Sequence, residues 1–456
     1  MKHITIVFFS LFISTGVFSQ QKSWYTQGNF EPNLRLEYTI ENSLNIDREN
    51  CPAIISRDDF PMPDIHEMWI TVVDPILPSA DEPSPEILER NGGHQLRKET
   101  NGHVIFHQLD DLDKDGIWDE LFFQVNIKAK EKKTVYIYFG ENIRGWNPHR
   151  THANIGSYCR HQMPFWESEN VGWKIWFANS VDVFAKRKPM LMSNRLYMEN
   201  LDGYGVVYEN EDFGSDIQSV DFSFGGGAIC LFEFAGQPEK ISRPRFTPTH
   251  ERLAPNSLWN AGQISDTRYA YEVISNGPLR STIKIKTMNW DTGNGFYEYN
   301  QYYTAYAGQS YCTSKVVYTQ FFPKQSGVLM GCGIRKKPEE NFFIQQNGML
   351  LSSGPENIKD PENIDDRDAW RLPFIGAGLI VKTQYKPEYH FIEDFKGNHT
   401  FRVSPDANNS YEYMLLNAWS EGAVYNNQIS FTEYVKKCEL EYNNPLMISL
   451  VKAEQK

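Results

Sequence analysis

The chain of 456 residues carries 45 Lys and Arg against 58 Asp and Glu, a formal net charge of −13 at pH 7. Its hydrophobic content of 40% supplies a large core, which excludes an intrinsically disordered chain. The acidic balance excludes a general nucleic-acid binder, because neutralising phosphates needs clustered or excess Lys and Arg. The 14% of aromatic residues suits both β-strands and sugar-stacking surfaces, and composition does not choose between them.

The first residues predict where the protein goes. A short basic start at 1–3 precedes a mostly apolar stretch at 4–17, and Val17-Phe18-Ser19 completes the pattern of a secretory signal peptide. We expect residues 1–19 to be cleaved and the mature protein to be periplasmic or secreted. The apolar stretch is shorter than the ~20 residues of a spanning helix, and no other run comes close, so we expect no membrane span.

The body of the chain has the pattern of an all-β protein. In chain order, apolar and polar residues alternate at 34–41, 121–127, 135–139 and 283–286, which is the period of half-buried strands. No long stretch combines the helical period with caps, so helices should be few and short. The runs predict an N-terminal β-sandwich at 30–142 and a larger antiparallel, supersandwich-like β-sandwich at 155–456, the expected catalytic domain.

An aspartate-rich run between two strand patterns predicts a metal site. Asp111, Asp113, Asp115 and Asp119 alternate along it, and Gly116 permits a sharp turn, as a hard oxygen-seeking cation requires. An EF-hand would have a bidentate Glu at position 122, which is Phe here, and flanking helices where this chain has strands. We therefore predict a hairpin loop that binds Ca²⁺ in a structural role. Another metal or a solvated acidic turn remains open.

Common catalytic motifs are missing from the chain. There is no Gly-x-Ser-x-Gly elbow and no phosphate loop, and neither His66 nor His250 has the second histidine of a zinc-protease helix. The six cysteines include no Cys-x-x-Cys pair, which excludes a zinc ion held by clustered cysteines. We expect no organic cofactor, and buried free thiols at Cys230 and Cys332.

Clusters of basic residues are the remaining candidates for chemistry. They lie at 160–161, 186–188 and 243–252, and two prolines in the last cluster predict a loop, where site residues are often found. Local positive charge suits a carboxylated or sulfated ligand even in an acidic protein. The ordinary alternatives are a solvated basic face and, for His161, a hydrogen-bonded core histidine.

Five runs of the sequence resemble one family, and they span nearly the whole mature chain. They are HQLDDLDKDGIWDE at 107–120, WESE at 166–169, VDVFAK at 181–186, NGPLR at 276–280 and AWSEG at 418–422. The family consists of exported bacterial carbohydrate-utilisation proteins long catalogued as a domain of unknown function, and it includes an oligosaccharide dehydratase of ulvan breakdown. It also serves other polysaccharide pathways.

The resemblance implies removal of water from a saturated glucuronic or iduronic acid at the non-reducing end of an ulvan-type oligosaccharide. The product would be a 4,5-unsaturated uronic acid, on which unsaturated-glycuronyl hydrolases could act next. We therefore expect an anionic oligosaccharide as substrate and action alongside these other glycan-degrading enzymes. We expect no nucleic-acid partner.

This chemistry requires a base for the C5 proton, an acid for the departing O4 hydroxyl, and positive charge at the C6 carboxylate. Histidine and tyrosine suit the base and acid, and Arg or Lys suits the carboxylate or sulfate. By residue type and clustering, we predict His250 as base with His161 as second choice, and Tyr197 as acid. The predicted substrate-binding residues are Arg245, Arg252, Lys186 and Trp166.

Two other classes of function stay open at this point. A polysaccharide lyase would split the glycan, and a glycoside hydrolase would need two carboxylates across the sugar, for which Glu167 and Glu169 are available. A non-catalytic glycan-binding protein with aromatic platforms is the third reading. A dehydratase alone changes the mass by one water and leaves the chain intact.

Overall fold

The computed structural model describes residues 23–62, 64, 66, 69–77, 99–141, 147–158, 161–176, 179–197, 214–218, 220, 223–234, 236–237, 239–244, 267–357, 371–394 and 396–456. Over these residues the protein is mostly antiparallel β-structure with two α-helices, which confirms the all-β prediction. The predicted signal peptide lies outside the described residues.

The strands of the first part of the chain are β1 (Thr26–Gln27), β2 (Leu34–Glu41), β3 (Arg48–Ser56), β4 (Ile70–Asp74), β5 (Glu99–Thr100), β6 (His103–Val104), β7 (His107–Asp110), β8 (Glu120–Ile127) and β9 (Lys132–Phe139). The next strands are β10 (Thr151–Tyr158), β11 (His161–Ser168), β12 (Val171–Trp176), β13 (Ser180–Lys186), β14 (Gly214–Asp216) and β15 (Ala228–Phe232).

The remaining strands are β16 (Arg268–Asn276), β17 (Arg280–Asp291), β18 (Gly295–Tyr306), β19 (Tyr311–Pro323), β20 (Leu329–Arg335), β21 (Phe342–Gln346), β22 (Met349–Asn357), β23 (Arg371–Val381), β24 (Glu388–Ile392), β25 (Asn398–Val403), β26 (Ser410–Trp419) and β27 (Met447–Gln455). The helices are α1 (Ser193–Tyr197) and α2 (Gln428–Asn443), with 3₁₀ turns at Arg57–Asp59 and Thr383–Tyr385.

An N-terminal sandwich forms from two sheets. Sheet A has the order β27-β2-β9-β4-β6 and sheet B the order β3-β8-β7. Apolar side chains that alternate along β2, β8 and β9 fill the space between them, including Leu36, Ile40, Leu121 and Phe123. Since successive side chains of a strand point to opposite faces, the alternation in the sequence maps onto this core.

The last strand departs from the predicted domain boundaries. The sequence assigned the chain to residue 456 to the larger unit, yet β27 pairs with β2 along its whole length and completes sheet A. Two contacts hold β27 there. Ile448 packs against the core of the N-terminal sandwich, and Glu454 forms an ion pair with Arg35 of β2 at 2.6 Å. The C-terminus therefore closes the N-terminal unit.

The larger unit is built around an eight-stranded sheet. Sheet E has the order β16-β17-β18-β19-β26-β23-β22-β21, sheet C runs β10-β11-β12-β13-β14, and sheet D runs β15-β20-β25-β24. The inner faces of all three sheets meet in one main core, where Trp166 stacks on Tyr303 with ring centroids 4.3 Å apart. This arrangement leaves an outer face on sheet C and another on sheet E.

Helix α2 covers part of the outer face of sheet E. Its buried residues are Phe431, Tyr434, Val435 and Cys438, which recur at the spacing of one helix face. The Asn427 side chain caps the helix by accepting from the Ser430 backbone N–H at 3.0 Å. At 16 residues α2 is longer than the short helices that we expected. Its length was not predicted because polar residues interrupt its apolar stripe in the sequence.

A buried polar junction joins the N-terminal sandwich to sheet E. Arg280 of β17 forms ion pairs with Asp110 and with Glu120, the latter at 2.7 Å. The Gln108 amide accepts from the backbone N–H groups of Leu279 and Arg280 at 2.9 and 3.0 Å. Because Arg280, Asp110 and Gln108 are buried, their contacts fix how the two units meet.

Two further expectations concern cysteines and membranes. The cysteines within the described residues (Cys51, Cys230, Cys312, Cys332 and Cys438) are free and buried, which confirms the prediction for Cys230 and Cys332. Among the helices that the structure describes, none has the length and apolar character needed to cross a bilayer.

Replacing Ile448 by Asp tests the role of the last strand. The charge would enter the edge of the N-terminal core, so we expect the free energy of unfolding to fall by about 1–3 kcal/mol. Val451→Asp is the matched control, since Val451 lies on the same strand and is 52% exposed; we expect it to change stability by less than about 0.5 kcal/mol. Equal denaturation midpoints for the two variants would contradict the assignment of β27 to the N-terminal core.

Candidate functional site on the ionic face of sheet C

The outer face of sheet C carries a group of titratable side chains. Directly paired residues of antiparallel strands point to the same face, and the register alternates between this face and the main core, where Trp166 and Trp173 lie. We call the outer face the ionic face. Its titratable members are His152, Glu167, Lys174, Asp182, Lys186 and Asp216.

Glu167 is the centre of one half of this face. Its carboxylate forms an ion pair with the Lys186 ammonium and accepts from the Ser193 hydroxyl. The backbone N–H groups of Met192 and Ser193 also donate to it, at 2.9 and 2.8 Å. His152 completes the group through Nδ1, 3.0 Å from the Ser193 hydroxyl. The carboxylate therefore joins β11 and β13 to the start of α1.

The environment keeps Glu167 ionised. Burial opposes the charge, but the Lys186 ammonium and hydrogen bonds from His152, Lys186 and Ser193 outweigh it and lower the pKa of Glu167 to about 2. Gly172 lies on this face between β11 and β13, where an added Cβ would make an ordinary contact with the Glu167 Cβ at 3.4 Å. Burial also lowers the pKa of Lys186, against the opposing effect of Glu167.

The other half of the ionic face places one ammonium between two carboxylates. Lys174 Nζ lies 3.0 Å from an Asp182 oxygen and 2.7 Å from an Asp216 oxygen. Asp182 and Lys174 are buried, and the Asp216 side chain is 16% exposed, so the group reaches the surface at Asp216. With both carboxylates ionised, the group would carry an excess negative charge inside the protein.

This environment favours the protonated form of Asp182. Burial raises its pKa, the neighbouring Asp216 carboxylate raises it further, and Lys174 only partly offsets them, giving a value of about 8. One face of the sheet thus holds two carboxyl groups with opposite shifts: the pKa of Glu167 is lowered and that of Asp182 is raised. Carboxyl groups with pKa values driven apart in this way are a mark of acid–base sites, although ion-pair networks in other folds show it too.

Two of the predicted substrate-binding residues lie in the interior. All three N–H donors of Lys186 are used, by Glu167, by the Ser168 carbonyl at 2.6 Å and by the Met190 carbonyl at 2.8 Å. Trp166 is fully buried between Trp173 and Tyr303. Neither side chain has an exposed surface to offer a ligand, which argues against the substrate-binding roles predicted for them.

The other predicted site residues lie at the margin of the described structure or outside it. His161 begins β11 and Tyr197 ends α1, and their side chains are not among those described. Arg245, His250 and Arg252 lie outside the described residues. Arg243, two residues before Arg245, donates to the Asn179 side chain at 3.1 and 2.9 Å, next to the first residue of β13. Arg243 therefore lies beside sheet C.

The aspartate loop gathers three of its four predicted metal ligands. Oxygens of Asp111, Asp113 and Asp115 lie within 4.8 Å of one another. The fourth, Asp119, turns toward the loop backbone and accepts from the Leu112 N–H at 2.6 Å. Gly116 has a φ of 90°, a left-handed conformation that glycine adopts without strain, so the turn forms as the sequence predicted. A donor set made only of carboxylates fits Ca²⁺.

The sequence interpretation missed Lys174, Asp182, Asp216 and His152. A signal for Asp182 was present, since it is a charged residue inside the apolar strand pattern at 181–185. No comparable signal marked Lys174 or Asp216, because their role depends on partners on other strands: Lys174 of β12 meets Asp182 of β13 and Asp216 of β14.

The family can now be stated. A family model described as a domain of unknown function, DUF4861, matches residues 88–448. The chain belongs to this family. All five sequence runs noted above lie inside the matched range. In the structure these runs contact one another: Arg280 meets Asp110, Glu167 meets Lys186, and the Trp419 indole donates to the Lys186 carbonyl at 3.3 Å.

Comparison with known proteins adds two solved structures. No match is found among curated proteins. The chain is similar to a glycosyl hydrolase family 38 protein from Enterococcus faecalis, at 9% identity and a TM-score of 0.45, over 92% of this chain and 47% of that one. It is also similar to an alpha-mannosidase from Enterococcus faecalis V583, at 9% identity and a TM-score of 0.46, over 92% and 46%. The chain thus spans just under half the length of these proteins.

Replacing Glu167 by Ala tests whether the ionic face is held by this carboxylate. The change leaves the Lys186 ammonium buried without a counter-ion, so we expect the free energy of unfolding to fall by about 3–5 kcal/mol. Glu433→Ala, on the exposed side of α2, is the control and should cost less than about 0.5 kcal/mol. Denaturant titration measures both.

The same pair predicts an acid-sensitive stability. The folded pKa of Glu167 lies below its usual 4.5, so its contribution is complete above about pH 4.5 and is lost as the pH falls toward about 2. We expect the double variant E167Q/K186M to lose less stability than the wild type over this window. Parallel acid-unfolding curves for the two proteins would show that Glu167 does not carry the effect.

Proposed function

We propose that this protein is a carbohydrate-active dehydratase that removes water from a saturated uronic acid at the non-reducing end of an ulvan-type oligosaccharide. The observation that supports the proposal is the Lys174–Asp182–Asp216 group, in which one ammonium lies between two carboxyl groups, the pKa of Asp182 is raised, and Asp216 reaches the surface. A group of this kind can supply the acid that an elimination needs, because its pKa lies near the operating pH.

The reaction needs three functions in one place. A base takes the C5 proton, the electron pair forms the C4–C5 double bond, and the C4–O4 bond breaks as an acid protonates the departing hydroxyl to give water. Positive charge at the C6 carboxylate stabilises the enolate-like intermediate. We propose the Asp182–Asp216 pair as the source of the proton, and this differs from the sequence prediction of Tyr197.

The remaining roles rest on the sequence alone. We propose His250 as base with His161 as second choice, and Arg245 and Arg252 for the carboxylate or sulfate. Arg243, which precedes that cluster in the sequence, donates to the Asn179 side chain beside sheet C. Export through residues 1–19, and action alongside hydrolases that take the unsaturated product, belong to the same proposal.

An oligosaccharide with a saturated uronic acid at its non-reducing end tests the activity. We expect ultraviolet absorbance from the conjugated enol-ether carboxylate to rise while the mass falls by one water and the chain length stays constant. Rising absorbance with shorter fragments would make the protein a lyase. Shorter fragments without absorbance would make it a hydrolase, and no change in either would favour a binding protein.

Asp182→Asn tests the source of the proton. The amide cannot donate as an acid, so we expect turnover to fall by about 100-fold or more while the fold is retained. The wild-type rate should fall as the pH rises through about 8, where Asp182 loses its proton, and the variant should lack this alkaline limb. Asp47→Asn removes an exposed carboxylate and should leave the profile unchanged. If Tyr197→Phe abolishes turnover and Asp182→Asn does not, the acid is Tyr197.

We also propose that the aspartate loop binds Ca²⁺ in a structural role. Lys114 of the loop donates to the Ile274 carbonyl of β16, so ordering the loop would strengthen its contact with the larger unit.

Calcium should therefore raise the melting temperature, by an amount that grows with its concentration relative to the Kd. In the variant D113N/D115N the calcium-dependent increase should disappear, whereas in D47N it should stay. A calcium effect of equal size in the loop variant would place the ion elsewhere.

A further inference from the structure

A cavity lies on the side of the molecule opposite to the ionic face. A cleft of about 710 Å³ opens between the N-terminal sandwich, the outer face of sheet E and the end of α2. We call it the sandwich cleft. Its volume is that of a site for a ligand of several rings, and such sites often lie where two units meet. The ionic face lies on the outer face of sheet C and the sandwich cleft on the outer face of sheet E, so the main core separates them.

The floor of the sandwich cleft is a grid of hydroxyl groups. Thr282, Thr304 and Thr313 are direct partners across β17, β18 and β19, so their side chains form one row on the outer face. The next row places Tyr302 directly opposite Lys315. Threonine and tyrosine hydroxyls both donate and accept hydrogen bonds, which suits a ligand that carries many hydroxyl groups.

Lys315 differs from the other cations of the cleft. Arg48, Arg280 and Lys382 each face a carboxylate, and Lys382 holds Glu412 at 2.6 Å. Lys315 is exposed, and no carboxylate of the described residues lies within ion-pair distance of it. Its register partner Glu412 is already bound to Lys382, so the Lys315 ammonium is available to an incoming anion.

The acidic residues of the cleft do not cancel this charge. Glu120, Glu412 and Glu441 are paired with Arg280, Lys382 and Arg48 respectively. The others, Asp113 and Asp119, belong to the aspartate loop at one side of the cleft. The ligand that fits is therefore polyhydroxylated, with an anionic group placed over Lys315 and away from that loop.

We propose that the sandwich cleft is a binding site for an acidic oligosaccharide, separate from the ionic face, with a carboxylate or sulfate on Lys315 and sugar hydroxyls on the threonine row. The site would hold the glycan on the face opposite to the proposed chemistry. This site does not depend on the dehydratase activity, since it is formed by other residues.

Calorimetric titration with a tetrasaccharide that contains glucuronic acid tests the site. A second titration uses the same tetrasaccharide with its carboxylates reduced to alcohols, and a third a sulfated form, which separates the two sources of negative charge. We expect the acidic forms to bind more tightly than the reduced one, and the difference to shrink at high salt.

Lys315→Ala should weaken binding of the preferred acidic form by about ten-fold or more, because a charge-assisted hydrogen bond is lost. It should leave binding of the reduced form unchanged. Lys286→Ala is the matched control: Lys286 is exposed on the same face of β17 but does not line the cleft, so its loss should not change either affinity. Thr304→Val should weaken binding of the acidic and reduced forms alike.

Equal affinities of Lys315→Ala and the wild type for both acidic forms would overturn the proposal. Loss of affinity in Asp182→Asn to the same degree as in Lys315→Ala would also overturn it, because one site would then account for both. Binding that depends on Lys315 in a protein that removes no water would support the sandwich cleft and refute the dehydratase. Removal of water without such binding would support the dehydratase and refute the sandwich cleft as a binding site.

Discussion

A carboxylate stays charged inside a protein only where neighbouring groups replace the hydrogen bonds of water. Glu167 meets this requirement with the Lys186 ammonium, the Ser193 hydroxyl and two backbone N–H groups. Those partners come from β13 and from the segment that starts α1, so satisfying one charge fixes three parts of the chain. The ionic face, including the Lys174 group one row further along, is built on that arrangement.

Sheet E is the second organising element, because both of its faces are used. Its inner face closes the main core against sheets C and D, while its outer face carries helix α2 and the floor of the sandwich cleft. Arg280 lies at the start of β17 and is held by Asp110 and Glu120 of the N-terminal sandwich. The same buried contact therefore sets the position of the sandwich and the width of the cleft.

Much of the fold could be predicted because its signals lie within short runs of the sequence. Strands such as β2 and β8 show period-2 alternation, which reports directly on which face is buried, and the aspartate loop forms from residues close in sequence. The site was less predictable. Lys186 looked like a surface cation because its partner Glu167 lies 19 residues away on another strand. Helix α2 was missed because polar residues interrupt its stripe.

The sequence by itself determined the all-β class, the aspartate turn and the family, since each depends on residues within a short run or on a pattern of such runs. Only the tertiary structure decided that β27 completes sheet A, that the pKa of Asp182 is raised, and that Lys315 has no carboxylate of the described residues within ion-pair distance. Burial and charge pairing are properties of neighbours in space. Contacts between residues on distant strands cannot be read from the local pattern of one sequence.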